Sequence, residues 1–104
     1  MSLKKLQQEQ AVWCNKNFGE QPGYRMLLGV QEELGELCHA HLKDEQGIRT
    51  NKNHFEAKRD AIADIVIYLA GYCNSEGINL ERTIYEVWDK VKQRDWKKNT
   101  ENGE

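Results

Sequence analysis

The sequence predicts an all-α protein, a four-helix bundle, and three observations lead there. Apolar residues recur at three- and four-residue intervals, as in Met26, Val30, Leu34, Leu37 and Cys38, the period of a helix with one buried stripe. Pro22 is the only proline and β-branched alternation is scarce, which leaves helix as the dominant element. Glycine-containing polar stretches at residues 17–23, 43–53 and 74–77 divide the chain into four segments, each break a place where a helix stops.

The first helix is expected from residue 3 to about 17, where Leu6, Ala11, Val12, Trp13 and Cys14 stand among lysines and glutamines. The second begins near Tyr24 and carries its apolar stripe to Leu42. Residues 43–53 are polar and read as a loop longer than a helix-to-helix turn needs, hence mobile or functional. A third helix over 54–73 is apolar on every side in its second half, the mark of a central helix. Asn79 is placed to cap a fourth helix through Leu80, Ile84, Val87, Trp88 and Val91. Residues 1–98 form a single expected domain, and 99–104, without an apolar residue, an expected disordered tail.

Charge and cysteines narrow the function classes. Fifteen basic against 17 acidic residues give a formal charge of -2, so no global basic field argues for a nucleic acid polymer or an anionic membrane. Cys14, Cys38 and Cys73 are odd in number and contain no Cys-x-x-Cys pair, which argues against a disulfide framework and a zinc knuckle and for buried free thiols. The first ten residues lack the apolar core of a secretion signal, and the longest apolar run, 61–73, contains Asp64 and falls short of the ~20 residues that span a bilayer. A cytoplasmic location is the expectation.

The chemistry lies in the acidic residues. Glu32, Glu33 and Glu36 fall at about 0°, 100° and 40° around a helix, so one third of its surface carries all three. Taken alone, such a trio is an ordinary solvated face. Asp64 changes the balance, because it is the only charge between Ala61 and Asn74 and has Ile62, Ile65, Val66 and Ile67 around it. An unpaired carboxylate buried there costs several kcal/mol or takes up a proton. Asp60 and Glu56 precede it by one and two turns, making a second acidic row. If the two helices pack antiparallel, the rows face each other and need cations between them; hard oxygen ligands select Mg²⁺, with Mn²⁺ as the alternative. Glu36-Leu-Cys-His39 also has the Glu-x-x-His form of di-iron bundles, but no second copy exists in the chain, so His39 is set aside.

The motif Glu-Glu-Leu-Gly-Glu at 32–36, a loop, and Asp-Ala-Ile-Ala-Asp-Ile-Val-Ile-Tyr-Leu at 60–69 resemble the MazG-like branch of the all-α nucleoside triphosphate pyrophosphohydrolases. The family pattern is Glu-Glu-x-x-Glu on one helix and Glu-x-x-Asp on a later one; the likeness extends to the Arg-Asp-Trp-Lys-Lys-Asn stretch at 94–99. One position departs: Ala61 stands three before Asp64 where the family has glutamate, with Asp60 the nearest acid. The resemblance implies a bundle completed by oligomerisation, as a homodimer or homotetramer, and Mg²⁺-dependent cleavage between the α- and β-phosphates of a nucleoside triphosphate. It implies Glu32, Glu33, Glu36 and Asp64 as metal ligands, Asp60 as a substitute ligand, and Glu33 or Glu36 as the catalytic carboxylate that activates water. Lys90, Arg94 and Lys97 share one face of the expected fourth helix and are candidates to hold phosphates. Trp13 and Asn17, with Phe18, are candidates to hold the base. A noncatalytic nucleotide- or metal-binding module is the alternative.

Overall fold

The computed structural model describes residues 1–104 and has four helices: α1 (Leu3–Phe18), α2 (Tyr24–Gln46), α3 (His54–Glu76) and α4 (Leu80–Val91). It is an all-α four-helix bundle, as the sequence pattern predicts. In space α3 lies between α2 and α1, while α4 packs on α1.

Each boundary has a local cause. The Ser2 hydroxyl accepts from the Lys5 N–H to start α1, and Asn53 and Asn79 accept from Glu56 and Arg82 to start α3 and α4, each satisfying an N–H that the helix leaves unpaired. At the far ends, Gly47 (φ 68°) and Gly77 (φ 69°) stop α2 and α3 in the left-handed conformation, which costs glycine little. The second helix therefore runs four residues past Leu42, because Lys43, Glu45 and Gln46 are good helix formers and the stop comes only at Gly47. The expected long loop shrinks to residues 47–53. His54 Nε2 lies 3.1 Å from the Ile48 carbonyl oxygen, and Lys58 Nζ lies 2.9 Å from Asp44 Oδ2, so this loop is tied at both of its sides. The Lys58 hydrogen bond and charge hold the Asp44 carboxyl below its usual range.

Two further corrections concern helix ends and thiols. Helix α4 ends at Val91, so Arg94 and Lys97 do not share a helical face with Lys90. The cause is Asp95, whose Oδ1 accepts from the Lys97 and Lys98 N–H groups, a local alternative to the helix ladder. Of the three free thiols only Cys73 is buried, and burial pushes its pKa up; Cys38 is exposed.

Helices α2 and α3 run antiparallel with their register pinned at three levels. Asp44 meets Lys58 at one end, a Cβ on Gly29 would collide with the Tyr68 ring in the middle, and one on Gly23 would collide with Ser75 at the other end. That register sets Glu33 across from Asp64 and Ala61 across from Glu36. On the opposite side of α3, Asn74 Nδ2 donates to the Gln7 carbonyl and to Gln10 Oε1, while Gln7 bridges Ile78 O and Leu80 N. These amide bonds lock α1 across the α3–α4 corner.

Candidate metal centre and adjoining cavity

Glu32, Glu33 and Glu36 each offer a carboxylate oxygen, and the three atoms lie within 4.8 Å of one another. Glu33 is buried; Glu32 and Glu36 are exposed beside it. The cause is the helix spacing, since the i,i+3 and i,i+4 pairs 33–36 and 32–36 stack on one surface, and Glu33 is the member turned toward α3. Desolvation raises the Glu33 pKa above its ordinary value, and the negative charges of Glu36, Asp64 and Glu32 add to that rise. The group is therefore short of positive charge.

Asp64 joins from α3. It is half-buried, and with Glu33 it forms the acidic wall of a cavity of about 230 Å³. Trp13, Phe18 and Tyr68 supply the aromatic walls, and Gln10, Cys14 and Met26 the remainder. The Trp13 and Phe18 rings meet edge to face at 5.6 Å, a favoured aromatic geometry that holds both at the cavity mouth. The Tyr68 hydroxyl has its pKa raised by burial first and then by Glu32, Glu33, Asp64 and Glu36. The four carboxylates thus act on one phenol.

The other sequence candidates sit elsewhere. Asp60 is exposed and is neither among the charges acting on Glu33 and Tyr68 nor part of the three-carboxylate cluster. Ala61, three before Asp64, is only 2% exposed, so the position where the resembled family carries glutamate faces α2 and is filled by a methyl group. Asn17 donates from Nδ2 to the Trp13 carbonyl and does not line the cavity; Phe18, one residue on, does. Lys90, Arg94 and Lys97 are exposed on or beyond α4, which packs on α1 and, through Leu80, against Ala70 and Cys73 of α3; none of the three lines the acid-walled cavity.

Four residues that line this cavity, Gln10, Cys14, Met26 and Tyr68, are absent from the sequence candidates, and two of them, Gln10 and Tyr68, carry polar groups. Tyr68 follows Asp64 by four, so it stands one turn along the same helix face; that spacing was a usable signal. Gln10 gave none, because its burial depends on α1 crossing α3. No family model, curated protein or solved structure matches this chain.

The carboxylate set fits a hard divalent cation. A buried glutamate raised by desolvation and by three like charges gains from a cation what it cannot gain from water, and the three clustered donors are oxygens, as Mg²⁺ and Mn²⁺ prefer; Asp64 stands beside that cluster and not within it.

Proposed function

We propose that the chain is a Mg²⁺-dependent nucleoside triphosphate pyrophosphohydrolase related to the MazG-like proteins it resembles. The observation that carries this reading is Glu33, a buried carboxylate facing Glu36, Glu32 and Asp64 at the edge of an aromatic-walled cavity. Glu32, Glu33, Glu36 and Asp64 hold the cation. Asp60, exposed and outside the charge cluster, is left a place only through a bridging water. Mg²⁺ bound there supplies charge neutralisation at phosphate oxygens and lowers the pKa of water.

The protein's own groups do the rest. Glu33, the buried member of the trio and the one that lines the cavity, is the better placed of the two catalytic candidates to accept a proton from water, and Glu36 orients it. The aromatic walls exclude water from one side of the site, and Trp13 offers an apolar face to the part of the nucleotide that passes through the cavity. Lys90, Arg94 and Lys97 reach phosphates only from a second copy, so the reading includes assembly into a homodimer or homotetramer.

Purified protein with Mg²⁺ and a nucleotide panel is expected to release pyrophosphate, and Glu36→Gln or Asp64→Asn to lower the rate at least ~100-fold with an unchanged helical circular dichroism spectrum. Equal turnover in both variants removes the proposed site. Saturable Mg²⁺-dependent nucleotide binding with no turnover in the wild type favours the noncatalytic module instead.

A further inference from the structure

A polar groove of about 450 Å³ runs between the C-terminal half of α1 and the last turns of α3. It shares Gln10, Cys14 and Met26 with the acid-walled cavity, so the two are adjacent compartments of one depression. The chemistry of the two differs. No basic side chain and a single acid, Glu20, line the groove, and amide and hydroxyl groups predominate.

Gln10 is the residue that sets it apart. Its side chain is 8% exposed, and its Oε1 is taken by Asn74 Nδ2 at 2.9 Å. Its Nε2 makes no hydrogen bond, yet it is not sealed from the groove, since no enclosed side-chain nitrogen or oxygen in the molecule lacks a partner. Asn74 spends both bonds of its Nδ2 on Gln7 and Gln10, which leaves its Oδ1 free to accept. A nearly buried donor, open only to the groove, and a fixed acceptor therefore stand together, and the partner of that donor must come from within the groove. Room for them comes from Gly71: a Cβ there would lie 2.7 Å from Gln10 Nε2 and 2.8 Å from Met26 Sδ.

We infer that this groove is the base-reading subsite of the nucleotide site, with Gln10 Nε2 donating to, and Asn74 Oδ1 accepting from, the edge of the heterocycle. The inference rests on the pyrophosphohydrolase reading above and extends it. Spacing agrees: Gly71 lies seven residues beyond Asp64 on α3, about 10 Å along the helix axis, the kind of separation a sugar imposes between phosphates and base. The intervening wall of Cys14 and Met26 is soft and apolar, suited to the face of a sugar or ring. Every nucleobase presents a donor beside an acceptor on its pairing edge, in one order for adenine and cytosine and in the reverse order for guanine and uracil, so a fixed amide pair can read that order. Fixed amides also discriminate, because a base of the wrong pattern leaves them unpaired.

Nucleosides, which lack phosphates, separate this inference from the catalytic reading. In ¹H–¹⁵N spectra of the wild-type protein, one of adenosine, guanosine, cytidine and uridine is expected to bind at millimolar concentration and to shift the Gln10 side-chain amide pair. Gln10→Glu keeps the oxygen that accepts from Asn74 but replaces the donor, and is expected to change the preference among the four by about tenfold, the worth of one hydrogen bond. Gly71→Ala is expected to abolish nucleoside binding, and Glu36→Gln to leave it intact. Binding of none of the four, binding without a shift at Gln10, or an unchanged preference in a folded Gln10→Glu protein overturns the inference. Pyrophosphate release by the same protein leaves the catalytic reading standing in that event. Nucleoside binding at Gln10 without any pyrophosphate release supports the groove and sinks the catalysis.

Discussion

Glu33 sits where two costs meet, loss of water and proximity to three other carboxylates. Its folded-state pKa lies above the unfolded value, so the folded protein binds this proton more tightly than the unfolded chain. Stability of the metal-free protein from this group is then highest below the unfolded pKa, falls as pH rises through the folded pKa, and stays low above it. Asp44 runs the other way: its pKa is lowered by Lys58, so its contribution is present above its unfolded pKa and is lost as pH falls through its folded pKa. Comparing Glu33→Gln with the wild type isolates the first effect. Removing that charge relieves like-charge pairs worth about 0.2–0.5 kcal/mol each, so the metal-free variant is expected to melt on the order of a few degrees higher at pH 7. The gap closes toward pH 4. Mg²⁺ or Mn²⁺ is expected to raise the melting temperature of the wild type and to do so far less for the variant. A wild type that gains nothing from either ion, or a variant no more stable at pH 7, contradicts the charge argument.

At the scale of elements, the α2–α3 hairpin converts two sequence motifs into one site, and its register depends on a glycine. Gly29 accepts the Tyr68 ring where any Cβ would collide, and Tyr68 in turn lines the cavity with Glu33 and Asp64. Gly29→Ala is expected to destabilise the fold by about 1–3 kcal/mol through overpacking, and to lower metal affinity because the acidic rows move apart. Denaturant unfolding and a metal titration measure the two effects; an unchanged midpoint excludes the register argument. The four helices and the Asn79 cap were legible because helical periodicity and capping act locally. The Glu32–Glu33–Glu36 cluster was legible for the same reason, since one helix builds it. What was not legible required two elements at once. The cavity needed α1 to cross α3, and burial of Ala61 beside exposed Asp60 needed the hairpin register; the exceptions are the end of α4, set locally by Asp95 accepting from Lys97 and Lys98, and the run of α2 on to Gly47.

At the scale of the whole molecule, the single chain is open for its length. Nine of 104 residues are buried, and the apolar cluster they form is Ala70, Cys73 and Leu80. The radius of gyration is 17.2 Å, against about 13 Å for a compact domain of about 100 residues. Helix α4 explains part of this. Its apolar residues gather on one face, yet Ile84, Val87 and Trp88 remain 42%, 53% and 52% exposed, because only its first turn is held by Gln7 on α1. The α2–α3 hairpin also shows Leu27, Leu34 and Ile62 to solvent. An amphipathic helix and an apolar hairpin face on every copy satisfy each other in a closed, symmetric assembly. Burying such side chains stabilises by about 1.5–3 kcal/mol each, enough to complete a core that one chain lacks. Light scattering on the eluted protein is expected to give at least twice the mass of the chain, with a melting temperature that rises with protein concentration. The pair Ile84→Glu and Trp88→Glu is expected to halve the mass or less and to lower the melting temperature, while leaving Glu32, Glu33, Glu36 and Asp64 in place on their hairpin. A wild-type mass equal to one chain contradicts the assembly, and with it any role for Lys90, Arg94 and Lys97 at the carboxylate site, since within one copy none of the three lines the acid-walled cavity.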